Sequence, residues 1–373
     1  DNIMNKMNRK FSKLLKNPHI FFRDFLNKKY PIKNTELPFA ESEEANLIEA
    51  HQKLDKIIQK NTLRQSDIDV VFTWVDGSDP LWQSKYHQYA PNYQANSALY
   101  ATDIARFEDH NELYYSVHAV LKFMPWVRHI FIVTDNQKPK WLDEAYQEKI
   151  TLISHQDIID KEYLPTFNSH VIEAFLHKIP NLSENFIYFN DDVFIARELQ
   201  AEHFFQANGI ASIFMSEKSL TQMRDRGTIT PTLSASEYSI RLLNKYYNTN
   251  IDSPLVHTYI PLKKSMYELA WQRYEKEILG FLPNKLRTNH DLNFANFLIP
   301  WLMYFEGKAM PKIDICYYFN IRSPNALTQY KKLLNKKNIG EQPNSFCAND
   351  FNSQKSINNY QNQLFSFLNS YYS

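Results

Sequence analysis

The chain has 373 residues, 43% hydrophobic and 15% aromatic, with a net charge of +1. That is ample material for one large core or two ordinary ones, and too little charge for a generally basic nucleic-acid binder. The longest apolar stretch, Phe294 to Phe305, is broken by Asn296 and Pro300, so no membrane span is expected.

The chain opens on Asp1 with no visible secretory signal, and a native N-terminus is expected to lie upstream. Residues 1–33 hold nine Lys or Arg, among them Lys6, Arg9, Lys10 and Lys13, interleaved with Phe11, Leu14, Leu15, Phe21, Phe22 and Phe25. Such a basic amphipathic arm either lies on an anionic membrane surface or packs on its own domain or a partner subunit. Residues 34–66 are polar and acidic and read as a linker with a helix near Glu43–Gln59.

From Asp67 the pattern changes. Ile68–Val75 is a buried strand ending at the turn Asp76-Gly77-Ser78-Asp79-Pro80. A helix over Glu112–Phe123 follows, then strands at Ile130–Val133 and Ile150–Ile153, a helix at Ser169–Lys178, and a strand at Phe186–Phe189. This alternation predicts an α/β fold with a largely parallel sheet. Residues 210–215 read as a further strand, and Gln222–Thr232 as a mobile loop. Helices are expected at Ser236–Tyr247, Lys263–Ile278 and Leu292–Tyr304, strands at Cys316–Asn320 and Ser345–Cys347, and a last helix at Gln354–Leu368. The division is an arm and linker over 1–66, a catalytic domain over 67–351 with a helical insertion at about 234–310, and a C-terminal helix over 352–373.

Several common chemistries are absent. Six glycines form neither a P-loop nor a G-x-G-x-x-G turn, and there is no G-x-S-x-G elbow or H-E-x-x-H pair. Two cysteines, Cys316 and Cys347, fit a reducing cytoplasm better than a disulfide framework. The strands share a different feature: each ends in polar groups, and parallel strands deliver such groups to one edge of a sheet. Asn190-Asp191-Asp192 is the sharpest case. Adjacent carboxylates repel unless a cation lies between them, and Mg²⁺ (or Mn²⁺) bridging to substrate phosphates is the usual answer.

Other candidates surround it. Trp74, Asp76 and Asp79 either hold a nucleoside, by stacking and ribose contacts, or form a core Trp and a capped turn. Asn168 and Ser169 cap the next helix and, with His170 in its first turn, offer a phosphate site. His257 is a candidate general base. Arg287 can clamp a phosphate, with Asp291 as a cap or a contributor to the metal region. Asn349-Asp350 is another strand end on an amide and an acid, aimed at the same edge.

The motifs Asp69-Val-Val-Phe-Thr-Trp-Val75, Arg106-Phe-Glu-Asp109, Pro125-Trp-Val-Arg128, Leu164-Pro-Thr-Phe167 and Phe186-Ile-Tyr-Phe-Asn-Asp-Asp-Val193 occur in this order over residues 67–351. In that order they resemble the successive blocks of the Stealth family. Phe21-Phe-Arg-Asp24 and Tyr318-Phe-Asn-Ile-Arg-Ser-Pro324 are similar to bacterial capsule polymerases of the meningococcal GlcNAc-1-phosphate type. The resemblance implies a Rossmann-like, GT-A-type core; the cysteines and the basic arm make the expectation a cytoplasmic protein, with residues 1–33 in peripheral contact with the inner face of an anionic membrane or with a capsule export complex. It implies transfer of a hexose-1-phosphate, with GlcNAc the best guess, from a UDP-sugar to an oligosaccharide phosphate acceptor, releasing UMP. It places Trp74, Asp76 and Asp79 at the nucleotide, matches Asn190, Asp191 and Asp192 to the acidic strand end, and matches His257 and Arg287 to a later block. Asp192 competes with His257 as the base. Glu237 and Ile240 stand where relatives carry a basic or amide residue, leaving Arg241 as a substitute. The alternatives are a conventional glycosyltransferase releasing UDP and a non-catalytic carbohydrate-binding component.

Overall fold

The computed structural model describes residues 11–12, 14–29, 34–35, 40–61, 66–93, 111–227, 229–350 and 356–373. The chain divides into two compact units, 1–34 and 35–373. The first contains helix α1 (Pro18–Lys29), on which Phe22, Phe25 and Leu26 are exposed. The second begins with α2 (Glu41–Asn61). The expected linker helix lies within the larger unit. Side chains explain why. Glu44 is buried and accepts from Tyr317 (2.7 Å) and Lys336 (3.1 Å), and Asp55 pairs with Lys312 at 3.1 Å.

The central sheet grows from short apolar runs. In β1 (Ile68–Thr73), Val70, Val71 and Phe72 have no exposed surface, as expected of a parallel strand covered on both faces. α3 (Pro80–Tyr93) and α4 (Glu112–Phe123) precede β2 (Ile130–Thr134), and β3 (Ile150–Ser154) follows. α5 (Ser169–Glu173) then leads to β4 (Asn185–Asn190). These four strands pair in parallel in the order β3-β2-β1-β4. Asp69 is buried in β1; it binds Arg128 through both oxygens (2.9 and 2.6 Å) and accepts from the Ser183 amide at 2.7 Å. That pair staples the amino ends of β1, β2 and β4 together. The chain order reverses between β1 and β4, which makes the carboxyl edge there the switch point where open α/β sheets bind ligands.

Two residues past β4 the chain turns into β5 (Val193–Ile195). Then come β6 (Ala211–Ile213), α6 (Leu220–Asp225), α7 (Pro231–Leu243), β7 (Ile260–Lys263) and α8 (Lys264–Phe281). β7 closes the central sheet antiparallel to β4. A π-helical turn (Phe294–Leu298) runs into α9 (Ile299–Phe305), followed by β8 (Ala309–Pro311), β9 (Cys316–Asn320), α10 (Asn325–Ile339), β10 (Ser345–Asn349) and α11 (Tyr360–Tyr372). β9 and β10 are parallel, and β5 joins β10 antiparallel. α11 fastens to this sheet: Tyr371 and Tyr372 donate to the Ala196 and Ile195 carbonyls, each at 2.7 Å.

The α/β architecture with a largely parallel sheet is as the sequence predicts. The expected mobile loop at 222–232 differs, because its start is helical. Ser219 caps α6, Asp252 accepts from Thr221 (3.0 and 2.9 Å), and Arg224 pairs with Glu237 on α7. That ion pair engages Glu237, while Arg241 lies over the Tyr238 ring. Among the described residues no helix is long and apolar enough to cross a membrane.

Candidate active site

Asn190, Asp191 and Asp192 form the corner between the two sheets. Tyr188, fully buried in β4, organises it from below: its hydroxyl lies 2.8 Å from Thr73 Oγ1, 3.0 Å from Glu173 Oε1 and 3.1 Å from Asn190 Oδ1. Asp192 is held from the second sheet. Its Oδ2 accepts from Asn349 at 2.9 Å, and its carbonyl accepts from the Ala348 amide at 3.0 Å. Its Oδ1 is buried and has no hydrogen-bond partner among the described residues. Ligand atoms of Asp192, His257 and Cys347 all lie within 4.8 Å of one another. The His257 carbonyl accepts from Cys316 at 3.3 Å, and its accessible ring packs edge-on to Tyr318 at 5.1 Å. Burial and the neighbouring Asp192 push the Cys347 thiol well above its ordinary value, which keeps it protonated.

Arg287 approaches from the helical side. Its guanidinium donates twice to Ser169 Oγ, one bond at 2.8 Å and a second, shorter one. Burial lowers its pKa, opposed by Glu173, Tyr188, Asp291 and Asp192. The loop carrying it is locked by Asp291, which has no exposed surface. That carboxylate accepts from Asn168 (3.0 Å), the Thr288 amide (3.0 Å) and hydroxyl (2.8 Å) and Asn284 (2.8 Å), and lies 3.0 Å from His170 Nδ1. Asn168 caps α5 through the His170 amide at 3.1 Å. Asn168 and His170 are thus buried in the scaffold of the Arg287 loop, while Ser169 touches Arg287 itself.

Glu173 is a site residue that the sequence reading missed. It is buried beneath Arg287, and desolvation raises its pKa to about 7 against the pull of Arg287, Tyr188 and Asn296. Its signal was an acid inside the apolar run Val171-Ile-Glu-Ala-Phe175.

The β1 end is built differently. Gln137 clips it: its Oε1 accepts from the Asp76 amide at 2.8 Å, and its Nε2 donates to the Asp76 carbonyl (2.9 Å) and Asp79 Oδ2 (3.1 Å). Asp76 Oδ1 accepts from Ser78 twice (2.9 and 2.5 Å), and Asp79 Oδ1 accepts from the Leu81 amide at 3.0 Å. Trp74 is 6% exposed, so its ring belongs to the core rather than presenting a stacking face, and its buried Nε1 has no partner. Nearby, Lys85 pairs with Asp135 at 2.6 Å, and burial lowers the His155 pKa to about 4.

The structure therefore gathers Asn190, Asp191, Asp192, His257 and Asn349 at the corner, with Arg287 and Ser169 beside it. The Stealth protein conserved region 1 matches residues 66–94 and conserved region 2 matches residues 106–213. The capsular polysaccharide phosphotransferase cps12A of Actinobacillus pleuropneumoniae is 89% identical over 369 residues, 99% of this chain and 100% of that protein. The chain belongs to the Stealth family. A capsular polysaccharide phosphotransferase of Neisseria meningitidis, LcbA, is 56% identical over 98% of this chain and 99% of its own length. An exopolysaccharide phosphotransferase of Streptomyces coelicolor is 33% identical over 82% of this chain and 51% of its own. Among solved structures the galactosyltransferase LgtC aligns over 81% of this chain and 95% of its own, at 11% identity and a TM-score of 0.37. The Arg106 block, matched within the second conserved region, lies outside the described residues.

A divalent cation fits the corner. The unpartnered Asp192 Oδ1 lacks what a cation supplies, and Asp191 adjoins it. Cys347 offers a soft sulfur, so for a hard divalent ion the oxygen donors of Asp191 and Asp192, with Asn190 adjoining them, make the better set.

Proposed function

We propose that this Stealth-family transferase is a capsular polysaccharide polymerase that moves a hexose-1-phosphate, GlcNAc-1-phosphate by best guess, from a UDP-sugar to a hydroxyl of the growing glycan. The observation that carries the reading is the convergence of an accessible His257, an unsatisfied Asp192 and a half-buried Arg287 at the switch point of the sheet. The acceptor oxygen attacks the β-phosphorus. The new bond joins that oxygen to phosphorus, the bond from phosphorus to the α-phosphate oxygen breaks, and UMP departs with the electron pair. His257 takes the acceptor proton. Asp192 already has one oxygen bonded to Asn349, which favours His257 as the base. Arg287, anchored on Ser169, stabilises charge on the transferred phosphate; in phosphoryl transfer such positioning and electrostatics carry most of the catalysis. Mg²⁺ held by Asp191 and Asp192 would neutralise the pyrophosphate. Asp76 and Asp79 border the nucleotide half, with Gln137 fixing their loop.

The exposed Phe22, Phe25 and Leu26 of α1, in a basic segment, support a peripheral contact with anionic lipid on the cytoplasmic side. The test of the reaction is nucleotide release over a panel of UDP-sugars, with oligosaccharide primers and EDTA controls. UMP in step with polymer growth is expected; UDP would make the protein a conventional glycosyltransferase, and no turnover with any donor would leave it a binding component.

A further inference from the structure

The β5–β10 ladder has a second end. At one end Asn349 holds Asp192; at the other, Arg197 donates to Asn344 Oδ1 and, at 3.2 Å, to the Glu198 carbonyl. Arg197 lines a cavity of about 250 Å³ between α2 and the second sheet, with His51, Gln52, Lys56 and Gln200 on its wall and Leu47, Ile48 and Ile315 supplying an apolar floor; two acids also line it, Asp55, which Lys312 neutralises, and the exposed Glu198, which accepts from Gln200.

Among the described residues the guanidinium pairs with no carboxylate. The two acids that act on it bond elsewhere: Asp314 through one oxygen with His203, Tyr259 and Asn344, its other oxygen buried and making no bond to the guanidinium, and Asp55 with Lys312. Its Nε is buried without an acceptor, and desolvation lowers its pKa. Largely buried charges are ordinarily paired. Lys56 adds a second cation at the rim, and burial together with Lys312 keeps His51 below its ordinary value, a neutral ring able to donate or accept. The site thus asks for an anion attached to a hydroxyl-rich, partly apolar body. The volume lies below the roughly 300–1,000 Å³ of pockets for drug-sized ligands, so it holds a sugar phosphate unit and not a whole nucleotide sugar.

Arg197 follows Asp192 by five residues along an extended strand, a separation of about 16 Å at roughly 3.3 Å per residue. We infer that this cavity is a second subsite for the polymer itself, holding a phosphodiester-linked sugar unit of the glycan already made while its end is extended at the corner. The inference rests on the proposed polymerase reading. Binding there turns each later addition into a tethered event and raises the effective concentration of the chain end.

Two measurements separate its failure from that of the polymerase reading. The first is calorimetric titration of the Asp191→Ala/Asp192→Ala protein with an oligomer of hexose-1-phosphate repeats, with the neutral oligosaccharide, and with inorganic phosphate. This needs no turnover. Binding of the phosphodiester oligomer that falls at least tenfold with Lys56→Glu or with the cavity-filling Gln52→Trp is expected. Equal binding by the neutral sugar, or binding untouched by both variants, overturns the inference. Tight binding of inorganic phosphate alone, with none of the oligomer, overturns it too and leaves a plain anion site. The second uses the active enzyme carrying Lys56→Glu or Gln52→Trp. Product length should shift several-fold shorter on long primers, with nucleotide release on the shortest acceptor unchanged. Equal loss on both primers, or unchanged length, contradicts the subsite.

Discussion

The ends of β1 and β4 lie side by side, and both carry acids just past a buried strand. At β1, Asp79 has both carboxylate oxygens engaged, one by the Leu81 amide and one by Gln137, and Asp76 caps Ser78. At β4, Asp192 has one oxygen engaged by Asn349 and the other buried with no partner. The same sequence signal therefore yields a self-satisfied turn in one case and an unsatisfied corner in the other. A strand-end acid becomes a site when the fold leaves it a bond to make and places other chemistry beside it. In the proposed mechanism His257 and Arg287 supply that chemistry.

The largest expected effect breaks or upholds this contrast directly. His257→Ala should lower kcat by about 10²–10⁴, the usual worth of a general base, with modest change in KM. Nucleotide release under saturating donor checks it; a loss below tenfold would return the proton to Asp192. Next comes the scaffold beneath Arg287. Asp291→Ala leaves its donors unpaired and should cost about 3–5 kcal/mol in denaturant unfolding. The Asp291 pKa is lowered in the fold, although burial alone would raise it, because His170, Thr288 and Asn284 outweigh that cost. Its stabilisation is thus complete above the ordinary value of 3.8 and is lost as pH falls through the lower folded value. An acid-unfolding curve unchanged in Asp291→Asn would contradict this.

Glu173 works in the opposite sense. Its folded pKa is about 7 against 4.5. Its contribution is full below pH 4.5 and declines as pH rises toward about 7. Glu173→Gln should remove that slope and, above pH 7, recover up to about 3 kcal/mol of stability relative to the parent. A slope that persists in the Gln variant assigns it to another group. Smallest is Asp79→Ala, which should cost about 1 kcal/mol as a lost cap and act on donor KM rather than kcat. If it matched His257→Ala in kcat, the contrast between the two strand ends would fail.

Much of this was legible because it follows from period and punctuation. β9 spans Cys316–Asn320 as read, and β1 to β4 fall within two residues of expectation, since continuous apolar runs bounded by polar turns leave little choice of structure. α3 and α10 were not read. α10 is lysine-rich, and its core side is carried by Ala326, Tyr330 and Leu333 with Lys336, a cation buried only because Glu44 of α2 meets it. β7 escaped because Pro261 argues against a strand; as an edge strand it tolerates the proline. At the site, the acids, His257 and Arg287 stood out by type and position. Glu173 and the Asp291 network did not, because burial and partners across 120 residues of chain are properties of the fold. Trp74 shows the converse: an aromatic at a strand end looked available, and packing buried it.

The central claim is that phosphorus, not the anomeric carbon, is attacked at the Asp192 corner. Turnover of a UDP-sugar labelled in its β-phosphate, followed side by side in the parent protein and in Asp192→Asn, tests it most directly. The label should enter the polymer as UMP is released, and the variant should lose that incorporation by at least about 10². Label recovered in UDP, or incorporation undiminished by Asp192→Asn, would contradict the account.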